Sequence, residues 1–172
     1  MISSMNQEKF LVELKQLHIT ADFHRRYYAE QSTTYHRLDY WLKSIVGLVA
    51  LAGSIMAGFP DLRMYGAFLA GACAILVSYI LPRFKWDDII SGFKDDEQEW
   101  MRIFKGYEDI ISFTEISDRG EILVQEFQRV KEMQKAAALT SRKLPQNKKL
   151  NEKIDAEVRA YWNLPNDPYK TE

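Results

Sequence analysis

Three histidines, His18, His24 and His36, are the first side chains in the sequence with catalytic or metal-binding potential. Their separations of six and twelve residues do not place two imidazoles on one helix face at ligand distance, so a histidine metal site is not expected. The acidic group Asp87, Asp88, Asp95, Asp96, Glu97 and Glu99 could attract a divalent cation, but it has neither the spacing nor the glycine turn of a calcium loop. It reads more simply as the solvated face of a helix. The single cysteine, Cys73, allows no intrachain disulfide and no zinc site built on cysteines. No phosphate-cradling glycine loop and no nucleophile motif is present. The expectation is therefore a protein that is not an enzyme and needs no cofactor or metal.

Two other patterns carry more information. The basic run Arg142, Lys143, Lys148, Lys149 and Lys153 suits an anionic partner. That partner could be a phosphate-bearing ligand, nucleic acid, an acidic protein, the anionic inner leaflet or the chain's own acidic helix; direct readout of DNA is not expected. Small residues recur every four positions in two apolar stretches: Ala50, Ser54 and Gly58 in the first, and Gly66, Ala70, Ala74 and Ser78 in the second. Such spacing lets helix backbones approach closely where no hydrophobic drive exists between helices. The stripes either hold the two helices to each other, or one seals the pair while the other meets a neighbouring subunit or lines a pore.

These stretches, residues 44–59 and 64–81, contain no charged side chain and are separated by Pro60, Asp61, Leu62 and Arg63 alone. As helices they would measure roughly 24 and 27 Å, close to the roughly 30 Å hydrocarbon core of a bilayer. Tyr40, Trp41, Tyr65 and Trp86 stand where amphipathic rings prefer the headgroup layer. Pro60 marks the turn. The expected fold is an all-α membrane protein, a two-helix transmembrane hairpin with long juxtamembrane and cytoplasmic helices. Its divisions are 1–39 for N-terminal juxtamembrane helices, 40–82 for the hairpin and 83–172 for a cytoplasmic helical domain. Arg25, Arg26, Arg37 and Lys43 precede the first span, and Arg83 and Lys85 follow the second. Both termini should then be cytoplasmic. The polar segment 5–15 lacks the apolar core of a secretory signal, which leaves the hairpin as the targeting element and makes cleavage unexpected.

Outside the spans, charge is polarised. Residues 87–121 carry 11 acidic and 4 basic side chains, net −7, and residues 129–153 carry 8 basic and 2 acidic, net +6. Acidic and basic helices are expected to lie against each other. Phe10, Leu11, Leu14 and Leu17 mark one N-terminal helix, and Asp22 could cap a second that runs into the first span. After the spans, Trp86, Ile90, Phe93, Glu97, Trp100, Phe104, Tyr107 and Ile111 alternate steps of four and three, a heptad seam with one polar member, Glu97. It either packs within its own subunit or also forms an oligomer interface. Ser117, Asp118, Arg119 and Gly120 read as a turn, and 147–162 reads as a last amphipathic helix.

The juxtamembrane residues His24, Arg25, Arg26, Tyr27, Tyr28 and Tyr35, the tight hairpin, and a following helix with Trp86, Asp87, Asp88, Phe93, Glu97 and Trp100 together resemble the SLATT family. These are two-transmembrane effectors of bacterial conflict systems. The resemblance covers about residues 20–140. It implies a homo-oligomeric, membrane-disrupting or pore-forming effector of anti-phage defence in the bacterial inner membrane, held inactive until released. A nucleotidyltransferase, a nucleotide signal or a partner protein would be the release. A non-conducting membrane scaffold is the alternative, and a phage holin a weaker third.

Overall fold

The computed structural model describes residues 4–116, 120–141 and 144–164, with side-chain surroundings for 9–113, 122–141 and 144–164. Its elements are all helical: α1 (Ser4–Ala57), α2 (Arg63–Ile75), α3 (Trp86–Ile116), α4 (Gly120–Ser141) and α5 (Lys148–Tyr161). The expected turn residues Ser117, Asp118 and Arg119 lie outside the described residues. Two compact units result, residues 1–30 with 92–172, and residues 31–91. The N-terminal residues 1–30 are thus grouped with the C-terminal segment.

α1 is one helix from Ser4 to Ala57, with no break at Asp22. No glycine or proline occurs between Ser4 and Val46, so nothing in the backbone ends the helix there. Asp22 is therefore not a cap. Its fully buried carboxylate accepts from Arg25 at 2.7 Å and Arg26 at 3.0 Å through Oδ1, and from the Trp162 indole at 3.0 Å through Oδ2. α5 forms where Asn147 accepts the Leu150 N–H at 3.2 Å, an N-cap that satisfies one free donor of the first turn. It buries Leu150, Ile154 and Val158.

In the first unit, α3 buries Phe93, Asp96, Trp100, Ile103, Tyr107 and Ile110. Their steps of three and four form a seam that shares Phe93, Trp100 and Tyr107 with the expected one. The alternate members are Asp96, Ile103 and Ile110, where the sequence suggests Glu97, Phe104 and Ile111. The three expected positions are half-buried on its flank. The polar member of the seam is thus Asp96. Gly106 admits Val130 of α4, since a Cβ there would lie 2.9 Å from Val130 Cγ2. The Tyr107 hydroxyl donates to Gln134 Oε1 at 2.6 Å, and Phe127 stacks edge-on against Phe10 of α1 at 4.9 Å. The expected attraction between acidic and basic helices is not what the ion pairs of α4 display: Lys131 pairs with Glu13 of α1, and Arg129 with Glu126 of its own helix. α3 and α4 meet through apolar and hydrogen-bonded contacts instead.

In the second unit, α1 and α2 are joined through a turn at residues 58–62, where the N–H of Leu62 donates to the Phe59 carbonyl at 3.1 Å. α1 and the helical run that starts with α2 are each long and apolar enough to cross a membrane. Their outer faces are bare: Phe68 is 76% exposed, Met64 75% and Leu48 67%. A surface of that kind is unfavourable in water and suits a lipid solvent. Near the turn the two backbones touch. A Cβ on Gly66 would sit 2.3 Å from Ala57 N and 2.5 Å from Gly53 O, and one on Gly53 3.1 Å from Gly66 O. Gly66→Ala should therefore destabilise the helix pair by about 2 kcal/mol or more, as expected for overpacking against backbone that cannot yield. Gly71→Ala, with nothing within 4 Å of its Cβ, should be neutral or stabilising. Unfolding titrations in mixed micelles compare the two, and equal effects would contradict the close approach.

Candidate functional site: a groove between two apolar helices

The small residues do not all serve the same contact. A repeat of four advances about 40° per step around a helix of 3.6 residues per turn, so a stripe of that period rotates out of any straight interface. The residues that face the partner helix follow steps of four and three: Val46, Ala50, Gly53 and Ala57 on α1, and Gly66, Ala70 and Cys73 on α2. Val46, Gly53, Gly66 and Cys73 are buried. Gly53, Ala57, Val46 and Cys73 escaped the four-residue reading, although their heptad spacing would have revealed them. Ser54 and Gly58, by contrast, are exposed, and the Ser54 hydroxyl returns to the Ala50 carbonyl of its own helix at 2.9 Å.

Away from the turn the helices separate and leave a groove of about 930 Å³. Ala50, Ala70, Ala74 and Ser78 from the expected stripes line it, together with Val46, Gly47, Cys73 and Val77. Its far end is charged, with Asp39, Lys43, Lys85, Asp87 and Asp88 around Trp86. The Lys43 ammonium donates to Asp39 Oδ2 at 2.7 Å, one turn away on α1. The Trp86 ring lies 5.6 Å from Tyr35 and 5.7 Å from Phe84, while its buried indole N–H finds no acceptor.

The far wall is irregular for a local reason. Pro82 has no N–H and its ring excludes a normal helical bond to the carbonyl four residues before it. The helix responds by widening over Leu76–Ile80, where the Leu81 N–H donates to Leu76 O, and then tightening over Leu81–Phe84. Lys85 follows in the left-handed region at φ 45, ψ 41, a conformation unusual for a side chain with a Cβ, and it reorients the chain into α3. Widened turns of this type occur frequently at functional sites.

The remaining candidates divide. Of the expected interface positions, Trp86 and Ile90 belong to the second unit and Ile90 is buried there; Phe93, Trp100 and Tyr107 are buried inside the first unit, with Glu97, Phe104 and Ile111 beside them. Their largest side chains are thus spent within the subunit. Of the basic run, Arg142 and Lys143 lie outside the described residues. Lys148 and Lys149 are exposed, and Lys153 lies 3.7 Å from both Glu30 and Glu157.

The first unit holds a buried polar layer that the sequence pattern concealed. His18 is packed between Phe104 at 4.4 Å and Trp162 at 5.0 Å, and neither ring nitrogen has a hydrogen-bond partner. His24 stacks on Trp100 at 4.2 Å with Nδ1 unpartnered. Burial pushes His18 down and lowers His24 to about 4. Burial alone would raise the Asp22 carboxyl, but hydrogen bonds from Arg26, Trp162 and Arg25 outweigh it and hold the group below the ordinary range. Asp96 is raised, by burial first and by the neighbouring Asp95, against the opposing hydrogen bond of Ser141. Arg25 and Arg26 lie over Phe104 and Tyr161 at 4.5 and 4.8 Å. Among the described residues no cluster of histidine, cysteine, aspartate and glutamate could hold a metal ion. Comparison with protein-family models, curated proteins and solved structures finds no match.

The lowered histidines, His18 and His24, make stability depend on pH. Between the folded value of about 4 and the ordinary 6.5 the unfolded chain binds more protons at His24. Stability is therefore complete above about 6.5 and falls as pH drops toward 4, by on the order of 3 kcal/mol from this group. His24→Phe should remove much of that slope while retaining the stack on Trp100. Thermal unfolding at pH 7.5 and 4.5 measures the effect; an unchanged slope in the variant would assign the acid sensitivity elsewhere.

Proposed function

We propose that this chain is an oligomeric membrane effector that permeabilises a bacterial inner membrane once a nucleotide signal or partner protein releases it, as the resemblance to the SLATT family implies. The observation that carries this reading is the groove. Two helices that seal at Gly53 and Gly66 and diverge over Ala50, Ala74 and Ser78 present weakly polar walls that are open on one side. Two helices cannot enclose an aqueous path, so any path must lie between copies. The bare apolar exterior of the pair supports a transmembrane hairpin, and the basic residues flanking it support cytoplasmic termini with the 58–62 turn outside. No enzymatic step is part of this proposal.

α1 and α3 are each continuous through the boundary between the two units. A trigger that binds the first unit could bias the second through these helices, provided it binds the open arrangement more tightly than the closed one. One observation favours the alternative of a non-conducting scaffold. The first unit exposes Leu11, Val12, Phe113, Ile122, Val124 and Leu139, apolar side chains suited to a cytoplasmic partner.

Expression of the chain in bacteria without its partner should collapse the membrane potential, read with a potential-sensitive dye. Ala74→Leu, which fills the groove, should restore it to the level of uninduced cells at equal membrane abundance. Unchanged potential at high expression, with recruitment of a soluble partner to the membrane fraction, would favour the scaffold.

A further inference from the structure

We propose that the groove of the second unit holds a zwitterionic aminophospholipid, its headgroup at the charged end and an acyl chain along the small residues. The proposal rests on the reading of α1 and α2 as membrane-crossing and describes the closed state, in which the lipid covers the wall that an open assembly would turn to water.

The groove is amphipathic in the sense a phospholipid requires. One end is walled by Val46, Gly47, Ala50, Ala70, Cys73 and Val77, and about 930 Å³ is ample for a bound ligand of this class. From Lys43 to Ala50 the α1 wall rises about 10 Å, so an acyl chain passing along it leaves the charged end at headgroup level. That end is mixed in sign, with three carboxylates, Asp39, Asp87 and Asp88, against two ammonium groups, Lys43 and Lys85. Lys43 is already engaged by Asp39. Lys85 is left for a phosphate, and Asp87 and Asp88 for a primary ammonium.

The unsatisfied group points the same way. Trp86 lines this end and its indole N–H has no acceptor, a donor left for a phosphate oxygen. Charge then selects among lipids. With one excess negative charge, this end disfavours phosphatidylglycerol or cardiolipin and accepts an ethanolamine headgroup, whose ammonium the two aspartates can take. A helix from a second copy could fill the apolar part but would leave Trp86, Asp87 and Asp88 unanswered.

The test is native mass spectrometry of the full chain, extracted from membranes in mild detergent and offered equal amounts of phosphatidylethanolamine and phosphatidylglycerol with matched acyl chains. One ethanolamine lipid per subunit should be retained, with a preference of about tenfold. The double variant Asp87→Asn with Asp88→Asn, which turns the excess to positive, should reverse the preference. Ala74→Phe should abolish retention of either lipid. Equal retention of the two lipids, or an ethanolamine preference that survives the double variant, overturns the proposal. So does a bare groove in the wild type together with loss of oligomer in Ala74→Phe, which would assign the groove to a second copy. Those outcomes leave the membrane reading intact. Recovery of the chain in the soluble fraction after detergent-free lysis would overturn both.

Discussion

The second unit depends on one contact, the approach of the Gly66 backbone to Gly53 and Ala57. There is no room at this point for even a methyl group. Because lipid-like surroundings supply no hydrophobic drive between helices, association rests on packing, and backbone-to-backbone packing is the closest available. The contact lies beside the turn. At the other end, the run that follows α2 widens over Leu76–Ile80 ahead of Pro82 and tightens over Leu81–Phe84. The groove follows from a tight end and an irregular end on one helix pair.

The first unit is governed by a different economy. Its core is unusually aromatic, and it accepts polar groups where their cost is offset by stacking and cation–π contact. Asp22 is a buried carboxylate answered by two arginines and an indole, whereas His18 is buried with both ring nitrogens unanswered and the half-buried His24 leaves Nδ1 unanswered. Asp96 occupies a seam position on α3 with one carboxylate oxygen also unanswered. A unit built in this manner carries stored electrostatic cost in its core. Such sites respond to a bound charge or to acid more readily than an apolar core would.

Composition and apolar runs made the helical class, the two long apolar helices and the turn at Pro60 legible, because uninterrupted apolarity and a proline act locally. Neighbouring seams were harder. Trp100 and Tyr107 belong to both possible heptads of α3, and only the packing of α4 at Gly106 and Val130 decides for Ile103 and Ile110 over Phe104 and Ile111. The same ambiguity hid Gly53, because Ala50, Ser54 and Gly58 form an equally regular pattern of small residues. Asp22 was misleading for another reason: its side chain binds across the helix and to α5, a long-range contact that local capping preferences do not contain. The groove was not legible, because its lining comes from both helices and from the irregular run around Pro82 and Lys85, which no single sequence period brings together.

An apolar pair with one open, weakly polar side is incomplete as a conductor and sufficient as a component of one. The proposed function therefore requires assembly, and the direct measurement is the rate of ion release from liposomes reconstituted with purified chain over a range of protein-to-lipid ratios. Cooperative assembly predicts a rate that rises more steeply than the first power of protein density, with a slope that approaches the subunit number at low density. A strictly linear dependence, or no release above empty liposomes at any density or with a nucleotide signal, would contradict it.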